Sequence, residues 1–168
     1  MVLSNCNIVL KNLIAFNRES FQVNQRYLWI WNPTSVPPHM GISVDGAYFS
    51  LKSNGVDWNA NLMDLIAVIE RKHLPVVAVE LKADFDLNTC TDSFSNFERT
   101  IPGEVTCLQP IKSVLGLTAP QKLSELLEEL ESQHALGAIT AWNITSNELE
   151  LPEYSTDDIH AYLDSLSK

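Results

Sequence analysis

With 168 residues, 45% hydrophobic and 19% charged, the chain has the balance of one folded domain with a substantial core, which argues against disorder as its main state. A formal charge of −10 argues equally against a nucleic-acid partner, because phosphate binding needs clustered Lys and Arg. Part of that acidity sits in the last third, where a solvated acidic face accounts for it without any partner.

The opening stretch MVLSNCNIVLKNLIAF lacks the basic start, long apolar run and small-residue cleavage site of a secretory signal, so a cytoplasmic location is expected. No run reaches the roughly 18 apolar residues of a spanning helix. Cys6, Cys90 and Cys107 are widely spaced, which fits neither a disulfide framework nor a zinc knuckle. No metal and no cofactor is expected.

Within residues 7–16, Val9, Leu10, Leu13 and Ile14 fall at helical spacing, and a helix is predicted, although the β-branched residues also allow a strand. Tyr27, Trp29 and Trp31 alternate with Leu28 and Ile30, the pattern of a strand buried on both faces. Two tryptophans there serve either a packed core or a stacking platform, and core packing is the usual use. A loop through Pro33, Pro37 and Pro38 then delivers a rigid, extended approach to His39.

Residues 39–51 read as a hairpin: a strand over Gly41–Val44, a tight turn at Asp45-Gly46, and a returning strand over Ala47–Leu51. A turn follows at Ser53-Asn54-Gly55. Asn59 is expected to cap a helix over 60–72, with Leu62, Leu65, Ile66 and Ile69 as its apolar stripe and Pro75 as its stop. His73 reads as an exposed helix-end residue. Residues 76–82 form the next strand, with Val76, Ala78 and Glu80 on one face and Val77, Val79 and Leu81 on the other. Glu80 is its one acid, either buried with a raised pKa or held at a rim. Residues 84–101 read as a polar loop or flap anchored by Phe85, Phe94 and Phe97, and Cys90 within it as incidental.

From Cys107 the pattern becomes helical. Ile111, Val114 and Leu115 share a face, Pro110 is tolerated only in a first turn, and Gly116 terminates. A cysteine at a helix start feels the positive end of the dipole, which favours its thiolate. The alternative use is a buried structural cysteine. Thr118-Ala119-Pro120 opens a further helix burying Leu123, Leu126, Leu127 and Leu130, with its glutamates facing water. Residues 138–144 read as a strand. Ser155 caps a last helix burying Ile159, Tyr162, Leu163 and Leu166, with His160 on its polar side.

Taken in order, His39-x-Gly41-Ile42, the Asp-Gly turn, Tyr48-Phe49-Ser50, Gly55-Val56, the Val-rich strand at 76–82 and Thr106-Cys107 before Leu115-Gly116-Leu117 resemble the circularly permuted papain-fold cysteine hydrolases. These include NlpC-type peptidases and lecithin:retinol acyltransferase-like enzymes. The resemblance implies an α+β fold with a small antiparallel sheet packed against helices. It covers residues 27–117 as a catalytic core, with 118–168 as a C-terminal helical extension of the single domain. It makes Cys107 the nucleophile and His39 its general base. The orienting position falls on Ser50, with Glu80 as a substitute on a later strand. The implied activity is a thiol-dependent hydrolase or acyltransferase on an amide or ester bond of a peptide or acyl substrate. The alternative is a catalytically idle acidic module that binds a basic protein, of inhibitor or immunity type.

Overall fold

Tyr27–Trp31 is buried almost throughout, and this strand, β4, occupies the middle of a seven-stranded sheet. The computed structural model describes residues 1–4 and 7–168, so Cys6 lies outside the described residues. β5 (His39–Val44), β6 (Ala47–Lys52) and β7 (Gly55–Asn61) follow β4 as consecutive antiparallel hairpins. The turn between β5 and β6 holds Asp45 and Gly46 at positive φ, the conformation that an Asp-Gly pair tolerates best. On the other side of β4 lie β8 (Val76–Leu81), β9 (Leu136–Trp142) and the two-residue β3 (Ile14–Ala15). The fold is therefore α+β. Its sheet is larger than the small one expected, and it is antiparallel except where β3 runs parallel to β9.

The chain enters differently from its helical expectation. Residues 7–11 form β2 (Asn7–Lys11), which pairs with β1 (Val2–Ser4) and β10 (Glu148–Leu151) in a separate three-stranded sheet. Ile8 and Leu10 are the buried positions, a period of two, so alternation rather than helical spacing decides the segment.

One sheet face carries Tyr27, Trp29, Tyr48, Val76, Ala78 and Trp142, covered by α1 (Leu62–Lys72) through Leu62, Ile66 and Ile69. Asn61, not Asn59, caps this helix: its Oδ1 accepts from the amides of Met63 and Asp64, and residues 55–61 are spent on β7. The opposite face carries Leu28, Ile30, Ile42, Phe49, Val77 and Val79. Against it pack α2 (Leu87–Phe94), α3 (Leu108–Leu115), α4 (Leu123–Ser132) and α5 (Thr156–Leu166).

The 84–101 stretch, expected as a loop or flap, contains α2. Asp86 caps it by accepting from Thr89 N, and Phe94 and Cys90 are fully buried, so Cys90 is a core residue. Helix α4 begins at Leu123, later than Thr118-Ala119-Pro120 suggests, and β9 starts and ends two residues earlier than the strand expected at 138–144. Residues 118–168 thus supply two strands as well as two helices, and β9 lies inside the main sheet between β3 and β8. Ser155 caps α5 with a capping box to Asp158, as its sequence indicates. Two of its four expected core positions fail: Tyr162 is 45% exposed and Leu166 46%. Among the described residues no helix is long and apolar enough to cross a membrane.

Candidate active site

His39 enters the structure at the start of β5, opposite Trp31 of β4. β5 pairs with β4 all the way to His39, but with β6 only from Ile42↔Phe49 to Val44↔Ala47. The two strands are thus unpaired at the His39 end, and a cavity of about 370 Å³ opens there, lined by His39 and Met40 of β5 and by Leu51 and Lys52 of β6.

Cys107 reaches the same cavity from the start of α3. Its backbone is already helical, and Thr106 does the capping. Leu108 N donates to Thr106 Oγ1 (3.3 Å), while Gln109 Oε1 accepts from the amide and hydroxyl of Thr106 at 2.6 and 2.7 Å. Gln109 thus supplies one half of a capping box, from a Thr-x-x-Gln pattern that the sequence shows at 106–109. It holds the sulfur in the first turn of a helix whose buried Leu108, Ile111 and Val114 anchor it to the sheet. The Met40 backbone lies against the sulfur, one residue from His39. Sequence positions 39 and 107 therefore both line this cavity.

The electrostatics differ from the expected thiolate. Burial pushes the Cys107 thiol up to about 11, outweighing the opposite pull of hydrogen bonding from the Met40 backbone and its own. Burial likewise pushes the His39 imidazole down to about 4, with Asp57 drawing it up and Lys52 driving it further down. Both shifts oppose moving the proton from sulfur to nitrogen in the resting protein. The resting pair is thiol and neutral imidazole. No hydrogen bond joins them, and His39 Nε2 is buried without a partner.

Ser50 is fully buried on β6, and its hydroxyl is given to Asp57 Oδ2 on β7 at 2.8 Å. Asp57 Oδ1 accepts from Lys52 Nζ at 2.6 Å. Trp31 Nε1 donates to the Tyr48 hydroxyl at 2.8 Å. Tyr48 lies so close over Gly41 that an added Cβ there would stand 2.2 Å from its hydroxyl oxygen. The acid nearest the imidazole is therefore Asp57, which sequence reasoning missed because β7 reads as a turn followed by a helix. Glu80 is elsewhere: on β8 it lies beside Gly137 and accepts from Ala138 N, and it is absent from the cavity wall. Among the described residues no group of three or more His, Cys, Asp or Glu side chains is gathered to hold a metal ion.

Tyr162 and Leu166 of α5 also line the cavity, which accounts for apolar residues left exposed on that helix. Comparison with family models, curated proteins and solved structures finds no match to this chain.

Proposed function

We propose that this protein is a thiol-dependent hydrolase or acyltransferase that opens an amide or ester bond through Cys107 and His39, in the manner of the permuted papain-fold hydrolases its motifs resemble. One observation carries the reading: a helix-start cysteine and a histidine with an unpartnered, buried Nε2 line one cavity. The same proposal takes in a peptide or acyl substrate and a cytoplasmic location.

His39 is neutral above about pH 4, the form able to accept a proton. As the Cys107 sulfur bonds to the substrate carbonyl carbon, its proton passes to His39 and the carbonyl oxygen takes the negative charge. The Cys107 amide, at the positive end of α3, faces that charge. Collapse breaks the bond to the leaving group, which takes the proton back from the imidazolium. Water or another acceptor then releases the acyl group from sulfur, with His39 again as base. Asp57, held by Ser50, favours the imidazolium while it lasts.

The second reading, an idle acidic module that binds a basic protein, is favoured by the missing hydrogen bond between the two groups and their neutral resting forms. Alkylation by iodoacetamide, read at the Cys107 peptide by mass spectrometry, decides between them. A base-assisted thiol alkylates at a rate flat over about pH 5 to 9, whereas His39→Ala leaves a rate that rises about tenfold for each unit of increasing pH. Equal profiles in both proteins would favour the idle module.

A further inference from the structure

The chain carries 21 acidic and 11 basic side chains of Lys and Arg, yet the wall around Cys107 reverses that balance. Its ionisable members include Lys52 and Lys122, and among the described lining residues there is no Asp or Glu. The counter-charges stand behind the wall. Lys52 is paired to Asp57, while Lys122 is paired to Glu153 and donates to the Tyr154 carbonyl at 3.2 Å. Both pairs are partly open to solvent, where ion pairs are weak, so an incoming anion exchanges with them readily.

A third group points the same way. Thr100 lines the cavity, is 6% exposed, and its Oγ1 has no hydrogen-bond partner. Its amide donates to the Lys52 carbonyl at 2.9 Å, so the two residues line the cavity as backbone neighbours. Buried polar groups are rarely left unsatisfied. An unpartnered hydroxyl and two lysines lining a pocket without carboxylates suit an oxyanion as ligand. Leu163, Tyr162 and Leu166 of α5 give the same cavity an apolar surface.

We infer that the substrate acted on by Cys107 carries an anionic group, a carboxylate or a phosphate, received by Lys52, Thr100 and Lys122, with its apolar part laid against α5. This rests on the Cys107–His39 reading and names its substrate class. It also couples binding to chemistry. The charged groups that act on His39 are Asp57 from β7 and Lys52 from β6, and Cys107, Lys122, Tyr154 and Tyr162 line the same cavity. An anion that engages Lys52 leaves Asp57 to the imidazole, so the charge that suppresses the imidazolium is offset when substrate arrives.

The test compares two alkylating probes that differ in charge, iodoacetate and iodoacetamide, as a ratio of rate constants at Cys107 at pH 7. Against the same ratio for 2-mercaptoethanol, the protein is expected to favour iodoacetate about tenfold or more, which corresponds to one charge pair of modest strength. Lys52→Met is expected to remove most of that preference and Lys52→Arg to keep it, which separates a charge effect from a folding defect. Octanoate, octyl phosphate and octanol are then compared as protecting ligands against iodoacetamide. Protection by octanoate alone assigns a carboxylate, and by octyl phosphate alone a phosphate. A ratio equal to that of 2-mercaptoethanol, or protection by octanol as strong as by the anions, overturns the inference. If His39→Ala alkylates like wild type but Lys52→Met still loses the preference, the anion site stands and the catalytic reading falls.

Discussion

Replacing His39 with Gln isolates one term in the acid sensitivity of the fold. In the unfolded chain the imidazole titrates near 6.5, while burial holds it near 4 in the folded protein. Between those values the unfolded state binds a proton that the folded state refuses, so stability rises with pH across this window and falls as the solution is acidified. Each pH unit of the window is worth about 1.4 kcal/mol, so wild type should lose about 3 kcal/mol between pH 7 and pH 4 from this group alone. Other groups titrate there too, but they are common to both proteins. The difference in pH dependence between wild type and His39→Gln, rather than either absolute stability, therefore reports the imidazole. Denaturant unfolding at micromolar concentration, followed by tryptophan fluorescence, measures it. Parallel stability curves for the two proteins would show that the imidazole is solvated and would refute the account of a buried, neutral base.

The complementary expectation concerns the thiol. Thiolate absorbance near 240 nm, taken as wild type minus Cys107→Ser, should titrate with a midpoint near 11, and an inflection below pH 8 would mean a preformed thiolate. Because the folded value exceeds the thiol's ordinary 9.0, the same burial makes wild type lose stability from about pH 9 upward relative to that variant. Gly41→Ala drives a methyl into the Tyr48 ring and should cost about 3 kcal/mol in denaturant unfolding; a neutral result would mean that Tyr48 is free to move aside. Phe94→Ala empties a fully buried site between α2 and the sheet and should cost about 4 kcal/mol by the same assay, while a loss under 1 kcal/mol would place that ring outside the core.

Local chemistry made the parts nearest the two reactive residues readable. Asp45-Gly46 dictates a hairpin, Pro110 confines the start of α3, and Gly116 ends that helix in the left-handed region, so His39 and Cys107 were assignable to a strand end and a helix start. That they line one cavity depends on β5 and β6 separating beyond Ile42, which no residue pattern announces. Strand β7, GVDWNAN, has no apolar alternation and is mostly exposed or half-buried, so it read as a turn and a cap; Asp57 was hidden with it. The segment at 7–16 misled for the opposite reason, since Val9, Leu10, Leu13 and Ile14 fit a helical face while burial follows Ile8 and Leu10. The high pKa of Cys107 was equally illegible: a helix dipole can be inferred from sequence, but desolvation by the surrounding wall cannot.

The position of β9 has a consequence for biosynthesis. Roughly fifty-five positions separate the end of β8 from the start of the strand that covers its outer edge. At ribosomal rates of about 5 to 20 residues per second, that edge waits several seconds for its neighbour. During this interval a Val-rich ribbon is open to pairing with any other nascent or unfolded chain. Chaperone demand should therefore concentrate on the interval before β9 emerges.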